Sequence, residues 1–574
     1  DVRFAMRYLI DRDIKSGIKI HGQPVPGTGT KWLFENPEVA PARVDARPRV
    51  LSFDIETTAD ANNLLAIAYF GLGRDEVVVV DPKARQMPDQ AIGVPTEKDA
   101  LHHFAELVQA LDVDILTGWN VVDFDLTVLA NIASKVRYDL QLGRDRGKMR
   151  IRPAQGYFGS GSAMIPGRIV LDGMDLVRGA FVRVDDYSLD GVGQAILGEG
   201  KTLGHGEDGL DKVAQILDTY ASDLPKFTEY ARTDARLALA IVEKLDLIKL
   251  AFARASLTGM TPDRVAASIA SFDFLYLAEL HKRDVSAPSV VAPGAGRVAQ
   301  GGGAVFEPQA GVHENVWVCD FKSLYPSIIR TFNIDPLGHS LARLEAEPVY
   351  TQDGTAFATA PGILPGILDN LFPQRAQAKA KGDEVASQAI KILMNSFYGV
   401  LGTPACRFYN PNIANAITSQ GRHLLHWSRD WFAERGYNVL YGDTDSVFVA
   451  SGAEDTPEAD ARIQVLVTNF NRDLAAYLEA QYGVQSRLEL EYEKLYTRLF
   501  LAKTRGGGQG ARKRYAGVKA GSDEVEFVGM EVVRRDWTDL AKEVQKELFT
   551  RLFNGDAVVD YLREKVSSVR AGDC

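Results

Sequence analysis

The sequence predicts a multidomain protein with an α/β part followed by an α+β part. Its 574 residues are too many for one hydrophobic core, and 46% of them are hydrophobic, which is enough to fill several cores. In the first half, short apolar strands are followed by a helix, the pattern of an α/β domain. A stretch rich in Gly, Ala, Pro and Val over 285–308 then separates two halves, and strands and helices resume after it.

In the first half, the sequence predicts three apolar strands and two helical stretches. Residues 1–48 contain several prolines and show no regular pattern, and we interpret them as the remnant of an N-terminal domain. The α/β domain is predicted over 49–257. Its expected elements are strands over 49–56, 64–71 and 76–81 and helices over 97–111 and 234–255.

The second half follows a connector predicted over 258–312. A strand over 314–320 opens it, and a pair of helices broken at Gly382-Asp383 comes next. Strands return over 439–450, and a helix is expected over 538–553. The two helices of the pair are expected over 364–381 and 384–399.

Composition excludes several classes of protein. No run of about 18 uncharged apolar residues occurs, and the N-terminus lacks the charged-then-apolar order of a signal peptide, so we expect a cytoplasmic protein. Three cysteines without C-x-x-C spacing argue against a disulfide framework and a structural zinc site. The net charge of −11 disfavours a polyanionic partner unless basic residues are concentrated locally.

One segment does concentrate basic residues. Between Ala502 and Lys519 there is no acid, and glycines and Tyr515 are interleaved with the cations. Such a patch can follow a nucleic-acid backbone, although a solvated charged loop remains the alternative. The cations are Lys503, Arg505, Arg512, Lys513, Arg514 and Lys519.

Two acids separated by a single residue occur in "NVLYGDTDSVFV". The flanking apolar runs predict a hairpin, with Asp443 and Asp445 at its tip. Neighbouring carboxylates raise each other's pKa unless a cation neutralises them, and hard divalent ions such as Mg²⁺ take oxygen ligands. Asp320, which ends an apolar strand before Pro326, supplies a third acid. These acids could hold two ions about 4 Å apart, as phosphoryl transfer requires; the alternative is a solvated Asp-rich turn.

Two further acids alternate with apolar residues in "FDIET". Asp54 and Glu56 are two residues apart, so both face one side of a strand whose other positions are apolar. Burying two acids without a partner is costly. The pattern therefore predicts a second cation site in the first half.

Long motifs resemble those of the family B DNA polymerases. "DFKSLYPSII", "KILMNSFYG" and "YGDTDS" match three polymerase motifs in order and spacing, and the resemblance covers nearly the whole chain. It implies an RNase H-like 3′–5′ exonuclease domain, then a right-hand polymerase with palm, helical fingers and truncated thumb. The implied spans are the exonuclease over 49–257, palm over 313–360 and 400–529, fingers over 361–399 and partial thumb over 530–574.

The resemblance also implies a synthetic mechanism. Asp320 and Asp445 would carry two Mg²⁺ ions, with Mn²⁺ as a substitute and Asp443 adjacent and supporting. The primer 3′ hydroxyl would attack the α-phosphate of a deoxynucleoside triphosphate and release pyrophosphate. Tyr325 occupies the sugar-facing position, where its ring would exclude a ribose 2′ hydroxyl. Without the family, a buried aromatic that anchors the strand is the simpler interpretation.

The predicted helix pair would supply cations for the nucleotide. Arg375 and Lys379 share one face of the first helix, and Lys391, Asn395 and Tyr398 share one face of the second. Taken singly, these charges would be solvated. As members of the fingers motif, the three cations would contact the triphosphate. The other two residues would pack beside the incoming base and sugar.

The exonuclease assignment adds "WNVVDFD" and "YARTD". By resemblance to the proofreading motifs, Asp54, Glu56, Asp125 and Asp234 bind two metal ions, and Tyr230 orients the attacking water. Taken alone, Asp125 is an ordinary N-cap candidate and Asp234 a solvated helix acid.

The resemblance further implies contacts with primer–template DNA. "RKRYAG" matches a Lys-x-Tyr element that lies against the duplex near its growing end. A Gly-Gly pair matches a linker between the two activities, without the aromatic residue that precedes it in the family. The residues so assigned are Lys513, Tyr515, Arg512, Arg514, Gly301 and Gly302.

The chain departs from the family at its ends. Much of the thumb and the peptide that binds the sliding clamp are not seen before Cys574, so we expect a weakly held, distributive enzyme. We also expect it to act as a monomer at nucleoid DNA. An exonuclease that no longer extends primers is one alternative. A non-catalytic primer–template binding protein is another, although every motif acid is present.

Overall fold

The structure, a computed structural model, divides into two compact units. The amino-terminal unit comprises Val2–Phe274 with Asp383–Ala389, and the carboxy-terminal unit comprises Leu275–Gly382 with Ile390–Cys574. Part of the connector, Arg505 and the glycines after it lie outside the described residues. The described residues are 2–27, 30–152, 161–184, 186–200, 209–290, 301–452, 457–503, 510–534 and 536–572.

Residues 1–48 contain regular structure, so the prediction that they are irregular was wrong. A helix is followed by four short strands, paired β1 with β4 and β2 with β3. The strands have two to five residues and mostly exposed side chains, so they lack the apolar alternation by which a strand is recognised. The elements are α1 (Phe4–Asp11), β1 (Gly17–His21), β2 (Pro24–Val25), β3 (Leu33–Phe34) and β4 (Glu38–Ala42).

A six-stranded mixed sheet organises the amino-terminal unit. Its order is β12-β9-β5-β6-β7-β8, antiparallel from β5 to β7 and parallel elsewhere. The three predicted strands are confirmed within two residues, as is the first predicted helix. The elements are β5 (Val50–Thr57), β6 (Leu64–Gly71), β7 (Arg74–Val80), β8 (Ala91–Val94), α2 (Glu97–Ala110), β9 (Ile115–Gly118), a π-helical turn (Val122–Leu126), α3 (Thr127–Lys135), β10 (Arg150–Arg152), β11 (Ser162–Met164) and β12 (Ile169–Asp172).

Helices follow the sheet, and the longest of those described in this unit packs against β5 and β6. This helix, α7, starts ten residues before the predicted helix over 234–255, and a left-handed residue, Asp246, separates it from α8. Apolar residues of α7 and β6 form a shared core. The elements are α4 (Gly173–Gly179), α5 (Leu189–Leu197), α6 (Gly209–Ser222), α7 (Leu224–Lys244), α8 (Leu247–Thr258) and α9 (Ser268–His281).

The predicted connector over 258–312 contains a regular helix, which corrects that interpretation. Helix α9 occupies 268–281, and apolar residues occur all round it. The amphipathic period that reveals a surface helix is therefore weak in this segment. Only the later part of the predicted connector, so far as it is described, runs without helices.

An antiparallel sheet organises the carboxy-terminal unit. Its order is β16-β17-β13-β18-β19-β20, and α14 and α15 pack against it. The elements are β13 (Gly311–Phe321), α10 (Leu324–Thr331), α11 (Pro336–Leu341), β14 (Val349–Tyr350), β15 (Ala356–Phe357), α12 (Ile363–Ala380), α13 (Glu384–Leu401), α14 (Pro411–Glu434), β16 (Val439–Asp443), β17 (Ser446–Ala450), α15 (Pro457–Tyr482), β18 (Leu490–Lys503), β19 (Gly510–Lys519), β20 (Val525–Val528), α16 (Asp539–Asn554) and α17 (Val558–Ala571).

The structure confirms the predicted hairpin, the helix pair α12 and α13, and the helix α16. The sequence suggests that Pro326 stops strand β13, but the strand has already ended before it. Strand β13 ends at Phe321, and Pro326 lies in the first turn of α10, where its missing N–H costs no hydrogen bond. Among the described helices, none combines the length and the apolar composition that a membrane span requires.

Helix α15 is anchored by a fully buried aromatic residue. Phe470 is 0% exposed, stacks on Phe432 and meets Trp427 and Trp431 edge-on at ring-centroid distances of 5.1–5.7 Å. Aromatic rings in such arrangements contribute through both buried area and ring geometry.

We expect Phe470→Ala to destabilise the carboxy-terminal unit by about 3–5 kcal/mol, because it removes a ring from a closed cluster and leaves a cavity. Chemical denaturation followed by tryptophan fluorescence measures this loss. The control, Val465→Ala on the same helix, should change stability by less than about 0.5 kcal/mol because Val465 is 60% exposed. Equal effects of the two substitutions would contradict this account of the core.

Candidate active sites

Strand pairing brings the acids of the carboxy-terminal unit together. Asp320 is the second-last residue of β13 and lies opposite Ser446, which in turn lies opposite Asp443 across the hairpin. The amide of Phe321 donates to the carbonyl oxygen of Asp445 at 2.8 Å. The end of β13 is thus tied to the hairpin tip, as the sequence predicts.

The acids of this cluster influence one another's ionisation. Burial, and next the charge of Asp445, raise the pKa of Asp320 to about 7. Burial, and next the charge of Asp443, raise the pKa of Asp445. Glu493 and Glu491 on β18 also raise the pKa of Asp320. A bound cation would stabilise the ionised form of these carboxylates.

Basic side chains approach the same acids. Lys391 on α13 opposes the rise in the pKa of Asp320, and Lys513 on β19 pairs with Asp443 at 3.3 Å between Nζ and Oδ1. On α12, Arg375 donates from Nη1 to Ser323 Oγ at 3.4 Å. Burial lowers the pKa of Arg375, and within the described residues its buried Nε has no hydrogen-bond partner.

Two of the predicted nucleotide contacts are simply exposed on their helices. Lys379 lies one turn beyond Arg375 on α12, and Asn395 lies one turn beyond Lys391 on α13. Their positions agree with the faces that the sequence predicts. Their roles stay predictions.

Two tyrosines form a ring pair beside the acids. The rings of Tyr325 and Tyr398 lie 4.7 Å apart between centroids, and Gly421 on α14 faces Tyr325 so closely that a Cβ there would lie 3.2 Å from the ring. Burial, and next Tyr398, raise the pKa of Tyr325 to about 12. Arg422 opposes this rise, and its Nη1 donates to the carbonyl oxygen of Gly302 at 2.9 Å.

The Gly-Gly element is thereby fastened to α14. The amide of Gly301 donates to Asn415 Oδ1 at 3.3 Å, and a Cβ on Gly301 would lie 2.7 Å from Arg422 Nη1. Beside it, the amide of Thr444 donates to the carbonyl oxygen of Ala304 at 2.8 Å. Glycine permits this close approach.

The Lys-x-Tyr element lies on β19, and its residues differ in their surroundings. Arg512 and Lys513 are exposed, whereas Tyr515 packs against Phe448 at 5.4 Å between ring centroids. Arg514 forms an ion pair with the buried Glu531, so its guanidinium group holds β19 to the segment after β20. The assignment of all four to DNA contact stays a prediction.

Sequence reasoning missed Glu491, Glu493 and Arg422. The two acids alternate with apolar or aromatic residues along β18, the same signal that singled out Asp54 and Glu56. Nothing in the local sequence distinguishes Arg422, which becomes notable only because α14 places it beside two tyrosines.

The amino-terminal unit gathers a separate set of acids. Asp54 and Glu56 lie on β5, and Asp234 lies on α7, which packs against that strand. Each offers a carboxylate oxygen, and these oxygens all lie within 4.8 Å of one another. Asp234 is 2% exposed, so it is not a solvated helix acid. The triad could hold a metal ion.

Asp125 reaches the same strand from a π-helical turn. Its Oδ1 accepts a hydrogen bond at 3.1 Å from the amide of Ile55, the residue between Asp54 and Glu56. Burial, and next the charge of Asp54, raise the pKa of Asp125 well above its ordinary value. Asp125 is therefore a buried neighbour of the triad rather than a helix N-cap. Single π-helical turns are rare and recur at functional sites.

Tyr230 lies one turn before Asp234 on α7 and is 2% exposed. Burial raises the pKa of its hydroxyl, and the charges of Glu56, Asp234 and Asp54 raise it further. The neutral phenol is thus held among the acids as a hydrogen-bonding group.

Two models of known protein families match the chain. The model of DNA polymerase family B matches residues 266–572, more than half of the chain, and the model of the family B exonuclease domain matches residues 1–192. The chain belongs to DNA polymerase family B: it is a DNA-directed DNA polymerase with a 3′–5′ exonuclease domain. Because both models match, the exonuclease-only and non-catalytic alternatives are not favoured.

Individual relatives agree. The chain is 36% identical to DNA polymerase II of Escherichia coli (strain K12), across 100% of this chain and 73% of the relative. It is 27% identical to a DNA polymerase of Archaeoglobus fulgidus, across 100% and 69%. A solved family B DNA polymerase from Pyrobaculum calidifontis shares the fold, with a TM-score of 0.70, 24% identity and coverage of 100% and 72%.

The raised pKa of Asp320 predicts a pH-dependent stability. Because the folded-state pKa, about 7, exceeds the ordinary 3.8, the folded protein binds this proton more tightly than the unfolded chain. The resulting stabilisation is present below about pH 4 and is lost as the pH rises to about 7. Asp320→Asn should therefore be more stable than the parent at pH 8 without divalent ions, by about 1 kcal/mol after solvent screening, and equal at pH 4.

Thermal unfolding in chelator at pH 4 and pH 8 measures this difference. The control is Asp523→Asn, an exposed acid of the same unit, which should show no such pH-dependent gain. A variant that is less stable than the parent at pH 8 would show that Asp320 is not repelled by its neighbours.

Proposed function

We propose that the chain extends a DNA primer at its 3′ end and removes mispaired nucleotides from the same end. The observation that carries this proposal is the presence of two distinct clusters of mutually repelling, partly buried carboxylates. In the carboxy-terminal unit, Asp320 and Asp445 would hold Mg²⁺ for synthesis, with Asp443 beside them. In the amino-terminal unit, the metal ions that serve the exonuclease reaction would be held by Asp54, Glu56, Asp125 and Asp234.

The donor sets fit hard divalent cations. All proposed ligands are carboxylates, and buried carboxylates with raised pKa values gain most from a nearby positive charge. Mn²⁺ takes the same ligands and would substitute. When bound, the ions would stabilise negative charge on the transferring phosphoryl group.

The cations of α12 and α13 support nucleotide binding. The Nε of Arg375 is buried without a partner among the described residues, as expected of a group that completes its hydrogen bonds with a ligand. Lys391 adds charge beside Asp320, and Lys379 extends the same face of α12. These side chains would bind the triphosphate. Asn395 would lie beside the incoming base.

The tyrosine pair supports selection of the sugar. Tyr325 is held between Tyr398 and Gly421, so its ring cannot move aside without disturbing α14. A fixed ring at this position would leave no room for a ribose 2′ hydroxyl. Deoxynucleotides would then be preferred on steric grounds.

The exposed cations of β19 support contact with primer–template DNA. Arg512 and Lys513 would contact phosphates, and Lys513 would exchange its ion pair with Asp443 for one of them. Tyr515 and Arg514, which lie on the same strand β19, would contact the primer–template duplex beside them. Gly301 and Gly302 would present backbone to the template because no side chain intervenes.

Within the amino-terminal unit, Tyr230 would orient the attacking water. Its neutral hydroxyl lies among the acids, where it can donate to a carboxylate and accept from water. We further propose that the enzyme acts as a monomer on nucleoid DNA in the cytoplasm. We also propose that the palm, fingers and thumb regions occupy the spans given above.

A labelled primer–template, incubated with Mg²⁺ with and without deoxynucleotides, tests the proposal. Extension with nucleotides and shortening without them are the expected results. Shortening without extension would indicate that the protein is an exonuclease only. Binding of the primer–template with neither reaction would indicate a non-catalytic binding protein.

Substitution of one acid in each cluster should separate the activities. We expect Asp445→Ala to abolish extension and spare degradation, and Asp54→Ala to do the reverse, because each removes a ligand from one cluster only. Gel assays of both reactions on the same preparations measure this. Asp523→Ala is the control and should retain both. Loss of both activities in either folded variant would contradict the two-site assignment.

Replacement of the ring at 325 should relax sugar discrimination. Tyr325→Ala is expected to incorporate ribonucleotides at least about tenfold more readily than the parent, relative to deoxynucleotides, because the steric barrier is gone. Single-nucleotide incorporation kinetics give the ratio. The control is Tyr350→Ala, an exposed tyrosine of the same unit at 53% exposure. Unchanged discrimination in Tyr325→Ala would refute the role.

A further inference from the structure

A buried acid outside the proposed ligands lies next to the exonuclease cluster. Asp172 is the last residue of β12, lies opposite Gly118 of the parallel strand β9 and is 8% exposed. It contributes to raising the pKa of Asp125 and is therefore close to it. The roles proposed above do not use it.

The two oxygens of Asp172 serve two different elements. Oδ1 accepts from the amides of Met174 at 3.0 Å and Asp175 at 3.3 Å, which caps α4. Oδ2 accepts from the amide of Val122 at 3.2 Å. Val122 is the first residue of the π-helical turn, so the carboxylate joins that turn to the end of β12.

The π-helical turn is held by hydrogen bonds of its own and by the bond to Asp172. Within it, the amide of Leu126 donates to the carbonyl oxygen of Val121 at 2.9 Å, and Thr127 Oγ1 donates to the carbonyl oxygen of Val122 at 2.9 Å. The first amides of a helical turn have no partner inside it. Asp172 supplies that partner to Val122, three residues before Asp125.

We propose that Asp172 is a positioning residue for the exonuclease site: its Oδ2 holds the π-helical turn in the geometry that directs Asp125 between Asp54 and Glu56. The inference rests on the function proposed for Asp125. Asp172 acts through the backbone of the turn and touches neither substrate nor ion.

The variant Asp172→Asn separates the two bonds. Two amides face Oδ1 and one faces Oδ2, so the single amide oxygen of Asn should remain at the α4 cap, where Asn is as good as Asp. Its NH₂ group then faces the amide of Val122, donor against donor. The helix cap is kept, and the bond to the π-helical turn is lost.

Two measurements on the full chain test the proposal. In Asp172→Asn, amide hydrogen exchange over 120–127 should be about tenfold faster, the effect of losing one buried hydrogen bond, while exchange over 173–176 stays unchanged. The kcat of primer degradation should fall about 10–100-fold, as is typical when a group that orients a metal ligand is lost. The KM for DNA and the extension rate should not change.

A matched control is Asp223→Asn. Asp223 also caps a helix of the amino-terminal unit, through the amide of Lys226 at 3.1 Å, but bonds no π-helical turn in the described structure. It should leave exchange over 120–127 and primer degradation unchanged.

Unchanged exchange over 120–127 in Asp172→Asn would overturn the proposal, whatever happens to activity. Faster exchange with an unchanged kcat would overturn it too, because the turn would then loosen without consequence. Failure of the parent protein to degrade primers would contradict the function proposed above instead. In that event the exchange comparison would still decide whether Asp172 holds the turn.

Discussion

Repulsion between partly buried carboxylates is the constraint on which both sites depend. Removal from water raises the pKa of an acid, and a neighbouring negative charge raises it further. Asp320 and Asp125 show both effects, each beside another acid of its own cluster. Such an arrangement costs folding free energy, so the surrounding sheet must impose it. Clusters of this kind are kept where a divalent cation compensates the charge.

The two units impose proximity by different means. In the amino-terminal unit, one strand presents Asp54 and Glu56 on the same side, and α7 and the π-helical turn bring the other acids to it. In the carboxy-terminal unit, antiparallel pairing sets Asp320 against a two-residue turn that carries Asp445. The acids of the carboxy-terminal unit lie at the ends of strands and are half-buried, whereas those of the amino-terminal unit lie within β5 and on helical segments and are mostly buried.

Cations and rings complete the synthetic site. Lys391 and Lys513 offset part of the negative charge without neutralising it, which leaves the cluster able to attract further positive charge. Arg375 carries an unsatisfied buried donor among the described residues. The tyrosine pair adds a rigid wall backed by α14. Charge, hydrogen bonding and shape therefore converge on one region of the carboxy-terminal unit.

Sequence alone determined the family, the strands β5, β6, β7, β13, β16 and β17 and the helix pair α12 and α13, and it singled out the acids Asp54, Glu56, Asp320 and Asp445, because these depend on local period and motif. It did not reveal the structure of residues 1–48 or helix α9, whose patterns are weak. Arg422 and Asp172 emerged only from the tertiary structure, since their importance comes from hydrogen-bond partners that are 120 and 50 residues away along the chain. Hydrogen bonds across such separations leave no local pattern in a single sequence.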